Sequence, residues 1–251
     1  MQFHTDIEAS IAIKEIQPTK KGVLFVMLGS RLLLFLLFQA IIALIAHSWI
    51  TSQKYWLLSA TLTNLVSISL LFILFKREGK NYFKIFRFAR KTFKKDILVF
   101  LGIMVFAGPV ALAPNYFLST WLWNDANIPA EMLFQPIETT MVYILLIAFP
   151  VTIMLAELAT YYVYIMPGLE KQLKTKWLAV LLPVLFLSLQ HCTLPFIPDT
   201  KFIFYRALVF LPFALLAGIS LKTRPSLFPY FAVLHGIMDF GTAYMLVLEI
   251  H

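Results

Sequence analysis

Four ionisable side chains stand inside stretches that are otherwise apolar: Glu157 in AELATYYVYIMP, His191 in LFLSLQH, and His235 with Asp239 in LHGIMDF. Hydrocarbon makes a buried carboxylate or imidazole costly, so such residues mark a site by default. His235 and Asp239 are four positions apart, which on a helix places them on one face, one turn from each other. A glutamate near histidines suits general acid/base work on water or on a proton. Asp239 either joins the pocket or neutralises and orients His235.

These groups must share a depth if they are to act together. At 1.5 Å of rise per helical residue, Glu157 lies roughly 15 Å above Pro167 and His191 roughly 21 Å above Trp177. Counted from Ser226, His235 comes to about 14 Å and Asp239 to about 20 Å. The carriers are therefore expected to be helices crossing a layer about 30 Å thick, with the polar side chains near its middle.

Composition agrees with that requirement. Of 251 residues, 60% are hydrophobic and 14% charged, against roughly 25% charged in an ordinary soluble domain. About seven apolar segments of spanning length are expected near 31–50, 56–75, 97–118, 139–166, 177–196, 202–221 and 227–248. They are continuously apolar rather than alternating, so the expected fold is all-α, a polytopic helical membrane bundle, and not a barrel. Residues 1–21 read as a polar N-terminal tail without the order of a cleavable signal. Residues 22–138 read as an N-terminal transmembrane region and 139–251 as the part carrying the site.

Charge gives orientation. The loop KREGKNYFKIFRFARKTFKK, residues 76–95, is dense in lysine and arginine and holds a single acid, Glu78. Short cytosolic loops carry such an excess, so this loop and the N-terminus are expected inside, and the segment with Asp125, Glu131 and Glu138 outside. The formal net charge of +8 is thereby assigned to anionic lipid as partner and not to nucleic acid. Aromatic residues interleave with the bases of 81–95 as in an interfacial amphipathic helix. Arg31 and Arg206 are expected at span ends, snorkelling to the interface. Gln39, Asn64 and the serines of the second span read as helix–helix glue, and Pro109 and Pro114 as kinks whose freed backbone groups Asn115 answers.

The three segments, in order and spacing, resemble the signature motifs of the membrane-embedded CAAX protease and bacteriocin-processing family: Glu-Glu-xxx-Arg, then Phe-xxx-His, then His-xxx-Asn or Asp. The likeness covers about the last 110 residues. It implies that Glu157 is the general base, that His191 helps hold and polarise a water, and that His235 with Asp239 stabilises the oxyanion formed at a peptide carbonyl. The substrate it implies is a peptide or a prenylated protein. Leu158 stands where a second glutamate is expected, Tyr162 where the arginine is expected, and Leu187 at the aromatic position with Phe186 just before it. Positions 158 and 162 are four apart, so the two ends of a buried ion pair are lost together, a swap that can be neutral for stability.

Other chemistries are open on residue types alone. Glu157, His191 and His235 are legitimate zinc ligands, but no HExxH spacing supports a metal and the chemistry requires no cofactor. Cys192 adjoins His191, yet neighbouring helical residues point about 100° apart. The expectation is an intramembrane endopeptidase using Glu157. The alternative is a catalytically degenerate scaffold or immunity-type membrane protein of the same fold, and proton-coupled transport is a third use of midplane histidines and carboxylates.

Overall fold

A computed structural model describes residues 21–249; the expected N-terminal tail, apart from Lys21, lies outside the described residues. The described chain is all helical. Six helical stretches are long and apolar enough to cross a membrane: Lys21–Ala46, Trp56–Arg77, Phe93–Trp123, Thr139–Gln172, Thr200–Thr223 and Pro225–Leu248. A seventh apolar stretch, Leu178–Thr193, is shorter.

In chain order the elements are α1 (Lys21–Ala46), α2 (Trp49–Lys54), α3 (Trp56–Arg77), α4 (Phe93–Trp123), α5 (Ile128–Leu133) and α6 (Thr139–Leu158). There follow a π-helical segment (Ala159–Ile165), α7 (Met166–Gln172), α8 (Leu178–Leu189), a 3-10 turn (Gln190–Thr193), α9 (Thr200–Val209), α10 (Leu211–Thr223) and α11 (Phe228–Leu248). Local chemistry sets the ends. His47 turns left-handed after α1 (φ 51°), and Ser48 Oγ then caps α2 by accepting from the Thr51 N–H at 3.1 Å. Asp199 Oδ1 caps α9 in the same way through the Phe202 N–H at 2.7 Å. Gly79, with φ 66°, closes α3 in the left-handed conformation that glycine tolerates best.

The first span differs from its expected bounds of 31–50. It starts ten residues earlier because Arg31 is an interior residue of α1 and not its end. The basic loop differs too: residues 81–95 form a 3-10 turn over Tyr82–Phe86, an irregular stretch and the first turn of α4, not one amphipathic helix. In α4, helix continues through Pro109 and Pro114, and Asn115 Oδ1 accepts from the Tyr205 hydroxyl of α9 instead of answering its own helix.

α6 is the central strut, packed on α3 and α11. The apolar interior falls into two clusters. One, toward the basic loop, contains Leu24, Met27, Leu71, Phe75, Tyr161 and Leu169. The other, toward the opposite end, contains Phe35, Trp56, Leu57, Phe149, Ile153 and Phe202. Along α1, α3 and α6 the residues between these clusters are polar: Arg31, Asn64, Ser67 and Glu157, all buried. The bundle thus has a wet-chemistry layer between two dry ones. α4 packs on α9 and α10, with Asp96, Ala107 and Ser119 its buried residues.

Close approach of α11 to α6 depends on Gly236, where an added Cβ would lie 3.2 Å from Met154 Cβ and 3.4 Å from the Pro150 carbonyl. Small residues at such crossings let backbones approach. Gly236→Leu is expected to destabilise the bundle by about 1–3 kcal/mol through overpacking, read as a lowered thermal midpoint in detergent. Gly241→Leu on the same helix, whose Cβ position is open, is the control expected to leave the midpoint unchanged.

Candidate active site

Glu157 is the penultimate residue of α6, next to the border with the π-helical segment. π segments are rare and cluster at functional sites because they re-aim side chains relative to an α-helix. His191 lies in the 3-10 turn that ends α8, while His235 and Asp239 share one face of α11. All four line a single cavity of about 320 Å³, together with apolar walls from Ile153, Leu187, Phe210 and Met238.

The Glu157 carboxylate is held asymmetrically. Its Oε2 accepts from Gln190 Nε2 at 2.8 Å and from Arg31 Nη2 at 3.3 Å. Its Oε1 lies 3.0 Å from His235 Nε2, and His235 Nδ1 lies 3.4 Å from Asp239 Oδ2. The two imidazole contacts are ion-pair distances without hydrogen-bond angles, so His235 Nε2 and Asp239 Oδ2 are buried with hydrogen-bonding capacity to spare. The result is a chain of alternating charge type, Arg31, Glu157, His235, Asp239, running from α1 through α6 to both ends of one α11 turn.

Arg31 is 0% exposed, which overturns its expected place at a span end. The physical reason is that each guanidinium nitrogen has a partner: Nε donates to Gln190 Oε1 at 2.9 Å, Nη1 to Ser67 Oγ at 3.2 Å, and Nη2 to Asn64 Oδ1 at 2.9 Å as well as to Glu157. A guanidinium with a partner on each nitrogen has no need to reach water. Arg206 likewise does not snorkel. Its Nε donates to the His191 carbonyl at 3.1 Å and its Nη2 to the Leu194 carbonyl at 2.5 Å, capping carbonyls freed where the α8 helix stops inside the protein.

His191 is not the close partner of Glu157 that the motif order suggests; His235 is. The His191 ring stacks on Phe210 with centroids 3.9 Å apart, and its Nδ1 sits 2.9 Å from the Leu187 carbonyl. A carbonyl only accepts, so Nδ1 carries a proton, and in the neutral tautomer of that kind Nε2 is the acceptor. Tyr162, at the expected arginine position, donates to the Ala214 carbonyl at 2.6 Å, and Leu158 is buried among apolar neighbours. The guanidinium that reaches Glu157 comes from α1, as Arg31. Cys192 Sγ points to the Ile203 carbonyl at 3.5 Å. Among the described residues no group of three His, Cys, Asp or Glu side chains is placed as metal ligands would be.

Leu112 of α4 and Met238 of α11, 70% and 39% exposed, are among the residues that line the cavity. Nearer the basic loop the two helices close on each other through Phe100 against Tyr230 and Phe231.

In the sequence Asn64 and the serines of the second span read only as helix–helix glue and Arg31 as a span-end cation, and Gln190 is not singled out. One signal could have found the arginine: counting α1 from the start of its apolar run at Gly22 puts Arg31 about 14 Å deep, level with Glu157. Compared with family models, curated proteins and solved structures, the chain matches none.

The ion pair sets a stability test. Arg31→Met leaves Glu157 buried without its guanidinium and is expected to cost about 3–5 kcal/mol, whereas Arg31→Met with Glu157→Leu is expected to recover most of that loss. Unfolding in detergent for both single variants and the double variant gives the coupling energy. Additive losses would show that the two residues do not act as a pair.

Proposed function

We propose that this chain is a multi-pass membrane hydrolase that cleaves a peptide bond with water activated by Glu157. The observation that carries the reading is the asymmetry of that carboxylate: Arg31 and Gln190 occupy Oε2, so Oε1 is the oxygen presented beside His235 in the cavity. In the proposed step a water oxygen attacks the carbonyl carbon as Glu157 Oε1 takes a water proton. His235 Nε2 donates to the oxygen on which negative charge develops, and Asp239 orients the imidazole through Nδ1. The C–N bond then breaks, and the proton on Glu157 passes to the leaving amine. Donors aimed at a developing oxyanion in a water-poor cavity are worth several kcal/mol. His191, with Nε2 as acceptor, helps hold the water.

The resemblance to the CAAX protease and bacteriocin-processing family supports the same assignment, with a peptide or prenylated protein as substrate entering between α4 and α11. Loop charge supports a cell-membrane orientation with the N-terminus and residues 76–96 in the cytosol. A reporter placed in residues 80–95 is expected on the cytosolic side.

A second reading is favoured by one observation: a glutamate engaged by Arg31 can also serve as the anchor of a buried network, and Leu158 and Tyr162 depart from the family motif. In that case the chain is a scaffold or immunity-type protein. Cleavage of prenylated and bacteriocin-leader peptides by purified protein separates the two. Glu157→Gln keeps an oxygen for Arg31 and Gln190 but removes the proton acceptor, and cleavage is expected to fall at least about 100-fold. Asp239→Asn is expected to retain substantial activity. A biological readout unchanged in Glu157→Gln at equal protein level rules out hydrolysis as the function.

A further inference from the structure

The basic loop carries a feature beyond its bias of charge. Phe86, Arg87, Phe88, Arg90 and Phe93 line a shallow groove of about 890 Å³ on the bundle end. Among the described residues neither Arg87 nor Arg90 has a carboxylate partner, because the nearby acids are taken. Glu78 pairs with Lys80 at 2.6 Å. Asp96 is buried and accepts from Arg224 at 2.6 Å, Thr92 at 2.6 Å and Ser226 at 2.9 Å.

The groove is also fixed in place. Tyr82 is buried, and its hydroxyl donates to the Leu155 carbonyl of α6. Phe86 packs on Phe228 with centroids 5.4 Å apart, and Phe88 packs edge-on to Tyr230 at 4.7 Å. The Tyr230 hydroxyl reaches the Phe93 carbonyl at 3.4 Å. Two unpartnered guanidiniums are thus held on a pinned segment, where a flexible loop would present mobile charges.

We propose that this groove binds the headgroup of an anionic phospholipid, with Arg87 and Arg90 on its phosphate. A guanidinium fork matches phosphate oxygens in geometry as well as charge. The lipid, not a free phosphate, is the occupant because the groove adjoins apolar helix ends and is flanked by Phe83, Phe88 and Phe93, exposed at 54%, 43% and 40%. Aromatic rings at that level sit among headgroups and the first methylenes of the chains. Lys84, Lys91, Lys94 and Lys95 are exposed around it and add attraction for a negatively charged leaflet. The site is independent of the hydrolytic reading.

The test uses the full chain in a non-ionic detergent, titrated with phosphatidylglycerol or with phosphatidylcholine of the same acyl chains, reading lipid-dependent thermal stabilisation. Phosphatidylglycerol is expected to raise the unfolding midpoint, and phosphatidylcholine is not. Arg87→Ala with Arg90→Ala is expected to weaken the apparent lipid affinity about 30-fold, roughly fivefold per charge, with the lipid-free midpoint unchanged. Arg87→Lys with Arg90→Lys keeps the charges and is expected to recover part of the effect. Equal stabilisation by both lipids, or an undiminished response in the double alanine variant, overturns the proposal. Stabilisation by inorganic phosphate or glycerol phosphate alone at matched concentration also overturns it, as does selective capture of RNA with no response to phosphatidylglycerol.

Discussion

Arg31 and Glu157 meet at 3.3 Å in an interior where neither side chain reaches the surface, and the convergence of α1, α3, α6 and the turn after α8 is organised around them. Moving a guanidinium and a carboxylate out of water costs several kcal/mol each, and mutual attraction offsets that only when the remaining donors and acceptors are also met. Here Asn64 and Ser67 come from α3 and Gln190 from the turn after α8, so each neighbouring element contributes a hydrogen bond that the pair requires. Asn64 is itself positioned by donating to Thr152 Oγ1 of α6 at 3.2 Å. Displacing any one of these helices along its axis would strand a charge. The apolar clusters on either side supply most of the packing, but lipid-facing and protein-facing leucines are chemically alike, so they do not specify register. The polar layer does.

Interrupted helices position Glu157 and His191. Glu157 lies where α gives way to π, and His191 lies where α8 tightens into a 3-10 turn and stops. Broken backbone at membrane depth is tolerated only where its polar groups are met inside the protein. Arg206 serves the His191 and Leu194 carbonyls, and Gln39 exchanges hydrogen bonds with the backbone of Phe196, donating at 3.0 Å and accepting at 2.7 Å. The polar side chains that look most out of place in the apolar segments are thus those that permit the chain to leave helical geometry beside the cavity.

The helical class and the grouping of Glu157, His191, His235 and Asp239 were legible because each rests on a one-dimensional quantity: apolar length, or distance along a helix. What was not legible depends on rotation and on partners from other helices. Arg31 was set at a span end because an unpaired cation belongs there, and its partners lie 33 to 159 positions away in sequence. The pairing of Glu157 with His235 instead of His191 turns on the π segment and the 3-10 turn, which no hydropathy pattern announces. Tyr162 was read only as a lost arginine. Its hydroxyl in fact ties the π segment to α10, a role set by helix contact and invisible in spacing. Gln39 as helix glue was legible, since an amide in an apolar run must find a partner.

If a substrate enters between α4 and α11, as the proposed hydrolysis has it, it passes the exposed side chains of Leu112 and Met238 from the lipid. A compound approaching by that route is first dissolved in the membrane, so its effective concentration is a mole fraction in two dimensions rather than a molarity. Rates measured with detergent-dispersed substrate would then fall as detergent is added at constant substrate, by surface dilution alone. Partition into the bilayer would rank substrates before any contact with Glu157 does.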